Sequence, residues 1–228
     1  MEKKKLSLTF RLLRKLGFNY SEEEYGQVSL WRVIKQFFLN IRHKQLIKMM
    51  DWAILEPFNP RKLRPRFLKK LGCHVGKDVY VGDFVRVDLS HADMITIEDH
   101  VHIADASRLL CHQRDLSNYC VGDDYAKLGY IIKPIVLKRG CLIGMESFIM
   151  PGVTVGEGAI VGAGSLVTKD IPAWTIATGR PAKVVRELRQ RTDTEGVEGG
   201  DKFELRVKSV EFKVESLGCA LEERRVAA

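Results

Sequence analysis

The chain has 228 residues, 45% of them hydrophobic, and a formal net charge of +8 at pH 7. This suffices for the buried core of one domain with appendages, and no apolar run is long enough to span a bilayer as a helix. "MEKKKLSLTF" is basic but lacks a following apolar block or a small-residue cleavage site, so a cytoplasmic protein without a signal peptide is expected; five cysteines, odd in number and without paired spacing, fit reduced thiols.

The first 70 residues hold 17 Lys and Arg against 6 Asp and Glu, a surplus larger than that of the whole chain. Residues 1–20 predict a short basic amphipathic helix, interrupted by "YSEEEYGQ". "LWRVIKQFFLNIRHKQLIKMM" then places Leu30, Ile34, Phe37, Phe38 and Ile41 on one helical face. Such a face ordinarily packs on its own domain; the alternative is docking on a partner, or a peripheral contact with the inner membrane face. A nucleic-acid partner is not expected, because no recognition motif and no interleaved aromatic platform accompanies the basic block.

From about residue 71 to 180 an aliphatic residue returns every sixth position. Val75, Val81 and Val87 form one run; Ile97, Ile103 and Leu109 a second; Leu137, Ile143, Ile149, Val155, Val161 and Val167 a third. Gly144, Gly156 and Gly162 follow their aliphatic residue directly, and mostly small residues (Cys141, Ser147, Val153, Ala159, Ser165, Ile171) come four positions after it. A period of six is neither helical nor simply alternating. It fits a chain that turns a corner every six residues, three sides closing a triangular coil, with coils stacked at about the ordinary strand spacing of 4.8 Å. The glycines are read here as supplying turn conformations. Two breaks interrupt the rhythm: the step from Val87 to Ile97 is ten, and Leu109 to Leu137 is 28. The second break, about 112–134, reads as a loop thrown out of the solenoid, a favourable place for binding residues.

Beyond the repeat, Pro181 and "AKVVRELRQR" predict a helix over 181–191 that caps the open end. "TDTEGVEGGD" reads as a linker, and "KFELRVKSVEFKV" within 192–228 as a strand-like tail.

The hexads, with "DIPAWTIATGRPAKVVREL", resemble the hexapeptide-repeat acyltransferases, and within them the saccharide and exopolysaccharide O-acetyltransferases. The resemblance implies a mainly β fold: a left-handed parallel β-helix, here with N-terminal helices and the C-terminal capping helix. It also implies a homotrimer, a saccharide acceptor and acetyl-CoA as acyl donor, with no metal. A histidine at the loop base, here His112 ahead of the return at Pro134-Ile135, would act as general base on the sugar hydroxyl. Asp88, one coil earlier, is the candidate orienter, and Asp115 competes as orienter or substrate contact. By the same resemblance Gly144, Met145, Ala163 and Thr168 belong to the coenzyme groove, and Lys169 and Arg186 reach its phosphates. His112 of one subunit would face the Lys169 groove of the next. Leu142 stands where the family often has Trp, and Met145 where it often has Ser. The alternatives are an N-acyltransferase acting on an amino nucleotide sugar and a non-catalytic β-helix binding subunit. A metal-dependent hydrase on this coil needs three converging histidines, and His74, His91, His100, His102 and His112 lack the close pair that resembles such a site.

Overall fold

Short strands of two or three residues carry the hexads, each ending on the aliphatic residue of its repeat. The computed structural model describes residues 6–17, 26–55 and 58–190. The first coil runs through β1 (His74–Val75), β2 (Tyr80–Val81) and β3 (Arg86–Val87), the second through β4 (Ile95–Ile97), β5 (His102–Ile103) and β6 (Arg108–Leu109). A hairpin of β7 (His112–Arg114) and β8 (Tyr130–Ile132) then leaves the coil. The third coil is β9 (Ile135–Leu137), β10 (Leu142–Ile143) and β11 (Phe148–Ile149); the fourth is β12 (Thr154–Val155), β13 (Ile160–Val161) and β14 (Leu166–Val167). β15 (Thr175–Gly179) and β16 (Ala182–Glu187) end the stack.

Three faces result, with strand orders β1-β4-β9-β12, β2-β5-β10-β13-β15-β16 and β3-β6-β11-β14. Pairing between coils is parallel and in register, so aliphatic residues stack in columns: Val75, Ile97, Leu137 and Val155 inside the first face, Val81, Ile103, Ile143 and Val161 inside the second. All are buried. The small residues line the same narrow interior. Ser107, Ser147 and Ser165 are fully buried, and their hydroxyls donate to the Gly144 carbonyl at 3.0 Å and to the Gly162 carbonyl at 3.1 and 2.6 Å. Satisfied in this way, each hydroxyl avoids the cost of a lone buried polar group.

The glycines that follow the aliphatic residue act differently from the reading above. Left-handed backbone occurs instead at other turn positions, among them Gly152 and Glu146. Gly144 is needed for close approach: a Cβ there would lie 2.5 Å from the Ala163 backbone nitrogen of the next coil.

The ends are closed by two devices. At the start, α1 (Leu8–Lys15) and α2 (Leu30–Met50) precede α3 (Arg64–Leu71), which buries Phe67, Leu68 and Leu71 against the first coil. Its Arg64, 2% exposed, donates to the carbonyls of Met50 (3.0 Å) and Val81 (3.1 Å) and pairs with Asp83. At the other end the predicted helix over 181–191 is not formed. Residues 182–187 are the strand β16, antiparallel to β15. A strand satisfies the free edge of β15 directly with backbone hydrogen bonds, which a helix cannot, and the adjacent β-branched Val184 and Val185 suit it. The apolar face of α2 also departs from expectation. The helix is anchored by buried Leu46 and Met50, while Leu30, Ile34, Phe37, Phe38 and Ile41 are exposed. The chain divides into units Met1–Leu188 and Arg189–Ala228; all these elements belong to the first, and the predicted linker and tail over 192–228 lie outside the described residues.

Candidate active site

Both breaks in the hexad rhythm fall at the same corner of the triangle, where the chain passes from the third face to the first. In the third coil this corner is the plain turn 150–153, but the first coil inserts residues there before β4 and the second throws out its loop there before β9. The insertions are therefore stacked neighbours. The N–H of Asp88 donates to the Leu109 carbonyl at 2.9 Å, which places the aspartate one coil below the start of the loop.

Asp88 is 5% exposed and fully engaged. Its Oδ1 accepts from the Ser90 N–H (3.1 Å), and its Oδ2 accepts from the Cys111 N–H (3.2 Å) and bonds His112 Nδ1. Burial acts to raise the Asp88 carboxyl, but the hydrogen bond and charge of His112, the Ser90 N–H and the charge of His91 outweigh it and hold the group below its ordinary value. The same carboxylate, after burial, helps push the Cys111 thiol up to about 12. The carboxylate therefore stays ionised beside a half-buried imidazole. It fixes the tautomer with the proton on Nδ1 and leaves Nε2 of His112 as an acceptor. An imidazole so held can take a proton from a hydroxyl and return it to a leaving group.

Two further residues complete the setting, and neither was singled out from the sequence for this role. His91, in the first insertion, brings Nδ1 to 3.5 Å from Asp88 Oδ2, and its ring centroid lies 5.4 Å from that of His112. Tyr130, on β8, meets the His112 ring edge-on at 5.5 Å. Arg114 lies over Tyr130 at 4.1 Å and Tyr125 at 5.2 Å and donates to the Leu128 carbonyl, so the loop base is tied by a guanidinium between two rings. The available signal for His91 was the shared corner: two insertions one coil apart must touch.

The structure brings Asp88 and His112 together and leaves Asp115 apart from them. The Asp115 carboxylate accepts from the Ser117 N–H (3.0 Å) and hydroxyl (2.7 Å), closing a turn in the loop. Five of the other predicted residues line two edges of the third face. Gly144, Met145 and Ala163 are on the corner between the second and third faces; Thr168 and Lys169 are on the corner that carries His112, two coils further on. Arg186 is exposed on β16, opposite Ile176, on the second face. Of the histidines considered for a metal, His100 pairs with Asp78 at 3.2 Å and His102 stacks on Tyr80 at 4.0 Å. Among the described residues, Asp88, His91 and His112 have donor atoms within 4.8 Å of one another. An ion there would have to displace the Asp88–His112 hydrogen bond, so the trio fits a hydrogen-bonded proton-transfer site better than a preformed metal centre.

The model of the family "Bacterial transferase hexapeptide (six repeats)" matches residues 134–169. The putative colanic acid biosynthesis acetyltransferase of Escherichia coli is 30% identical over 167 residues, covering 65% of this chain and 90% of the relative. The chain belongs to the hexapeptide-repeat acetyltransferases. The galactoside O-acetyltransferase of E. coli, another relative of this acetyltransferase, is 34% identical over 119 residues, covering 52% of this chain and 55% of that one. A hexapeptide-repeat acetyltransferase of Vibrio cholerae, solved with acetyl coenzyme A, superposes with a TM-score of 0.54 at 22% identity, over 81% of this chain and 100% of its own. The three-faced stack of this acetyltransferase is the left-handed parallel β-helix of that family.

Proposed function

We propose that this acetyltransferase moves an acetyl group from acetyl-CoA to a hydroxyl of a saccharide or polysaccharide precursor, with His112 as general base. The observation that carries the reading is the buried, ionised Asp88 bonded to Nδ1 of His112 at the corner where the loop leaves the coil. The named activities of the E. coli relatives support the saccharide class of acceptor.

The thioester of acetyl-CoA is already activated, so the hydroxyl is the partner that needs help. Nε2 of His112 takes the hydroxyl proton as the oxygen attacks the thioester carbonyl. The tetrahedral intermediate collapses with cleavage of the C–S bond. The imidazolium returns its proton to the departing thiolate, giving free coenzyme A and the acetyl ester. Asp88 stays ionised throughout and stabilises the transient imidazolium. Lys169 and Arg186 are assigned to the coenzyme phosphates, and Gly144, Met145, Ala163 and Thr168 to the groove for its pantetheine arm. In a homotrimer, His112 of one subunit would face the Lys169 groove of the next.

The test is thiol release from acetyl-CoA across a panel of sugars and amino sugars, with His112→Ala alongside. Acceptor-dependent release that falls about a hundred- to ten-thousandfold in the variant is expected. An unchanged rate removes His112 from the mechanism, and release with amino sugars alone converts the reading to N-acetylation.

A further inference from the structure

The first two-thirds of α2 combine positive charge with exposed aromatic side chains. From Leu30 to Met50 the helix contains no acidic residue, and it carries Arg32, Lys35, Arg42, Lys44 and Lys48. Among the described residues none of these five cations has an ion pair. Beside them stand large apolar side chains open to solvent: Trp31 is 75% exposed, Phe38 64% and Phe37 60%, with Leu30, Ile34 and Ile41 completing the patch. Helical spacing at 100° per residue puts Leu30, Trp31, Ile34, Phe37, Phe38 and Ile41 within about 120° of arc, and sets Lys35 and Arg42 along one flank of that arc and Lys44 along the other. Among the described residues, the helix meets the core at its far end, through Leu46 and Met50 with Ile47 and Met49 beside them. The short α1 repeats the pattern on a smaller scale, acid-free with Arg11, Arg14 and Lys15, and with Leu8 and Leu12 exposed.

We infer that the exposed face of α2 is a docking surface for an anionic lipid bilayer. A core-facing helix would bury its aromatic stripe, and a solvated one would not display Trp and two Phe contiguously. Unpaired cations flanking such a stripe match an interfacial helix: the rings enter the headgroup–acyl boundary while the Lys and Arg side chains reach lipid phosphates. No helix of the described residues is long and apolar enough to cross a membrane, so the contact is peripheral, in the plane of the surface. Charge argues against pairing of α2 with α2 of a second copy, and the oligomeric-state arm of the test below reports on a contact of α2 with any other surface of a copy. An isologous α2–α2 contact would bring two acid-free helices together, five cations from each, with no carboxylate on either helix to balance them. This inference stands apart from the acceptor and base assignments.

The test is co-sedimentation of the full chain with vesicles of phosphatidylcholine alone and of phosphatidylcholine with an equal part of phosphatidylglycerol, at low and high salt, with oligomeric state followed by light scattering. Capture by the anionic vesicles only, reversed by salt, is expected. Lys35→Gln/Arg42→Gln is expected to weaken binding about thirtyfold, at about a fivefold loss per removed cation near the surface. Trp31→Ser/Phe38→Ser is expected to abolish it, with thermal midpoint, oligomeric state and thiol release in solution unchanged. The proposal is overturned if wild-type protein ignores anionic vesicles, or if the Trp31/Phe38 variant changes oligomeric state instead, which would make the face an interface between copies.

Discussion

At the scale of residues, the candidate site is one buried carboxylate bonded to the His112 imidazole with the His91 ring beside it, and its electrostatics follow from where Asp88 sits. Because its folded carboxyl is held below the ordinary aspartate value of 3.8, it contributes stability that is present above that value and lost as pH falls through the lower folded value. Acid titration of unfolding should therefore show a loss in wild type below that point that Asp88→Asn reduces, and equal slopes in the two proteins would refute the linkage. In turnover, Asp88→Ala is expected to lower kcat by about a hundredfold, and Asp88→Asn by less, since an amide oxygen still accepts from Nδ1. Thiols provide a second residue-scale prediction. Burial pushes Cys73, Cys111 and Cys141 up to about 12, whereas Cys120 is exposed on the loop. Peptide mapping after brief alkylation of native protein should find Cys120 labelled and those three protected. In the candidate site, the position of His112 was readable because it stands at the foot of a break in a regular pattern. Asp115 was equally close in sequence, yet hairpin geometry turns it toward Ser117, a local choice that spacing does not encode. His91 could be placed only roughly, by the corner that the two insertions share, because an insertion erases the repeat that would have fixed its register.

At the scale of elements, the hexads were legible because in-register stacking makes every coil repeat the same burial requirement, so sequence period and structural period coincide. The C-terminal segment shows the limit of that logic. "AKVVREL" has apolar residues compatible with either a helix or a strand, and the deciding term is tertiary: the free edge of β15 takes a backbone partner. Glycine identity was likewise legible at Gly144 while its reason was not. The position is fixed by the 2.5 Å approach of the Ala163 nitrogen, so relief would need the coils to separate. Gly144→Val is expected to lower the thermal midpoint by about 5–10 °C, corresponding to an overpacking cost of about 2–3 kcal/mol in a domain of this size. Gly129, also on the loop, has open space around it and no left-handed φ. Gly129→Ala should leave the midpoint within about 2 °C. Differential scanning calorimetry of the two variants separates coil contact from loop conformation.

At the scale of the whole molecule, a solenoid keeps its stability in the contacts between adjacent coils and in whatever closes its ends, while loops thrown sideways contribute little to the stack. The insertions are thereby separated from the stack in space: the Asp88–His112 corner can carry two of them without loss of register, because β4 still pairs β1 and β9 still pairs β4 across them. The consequence can be tested by two changes of opposite size. Replacing residues 116–128 with a two-residue Asn-Gly turn removes a large part of the loop while leaving the β7–β8 pairing of Arg114 with Tyr130 in place. Most of the removed residues are exposed, so the far-UV spectrum should be retained and the thermal midpoint should move by no more than about 3 °C. Arg64→Ala changes one side chain at the closed end, but that guanidinium is buried, bridges the Met50 and Val81 carbonyls and pairs with Asp83. Its removal leaves buried acceptors without a donor and loosens α3 from the first coil, a cost of about 3–5 kcal/mol and a midpoint lower by about 6–20 °C. A loop deletion that unfolds the protein, or an Arg64→Ala protein as stable as wild type, would show that the stack is not held from its end in the way these contacts require.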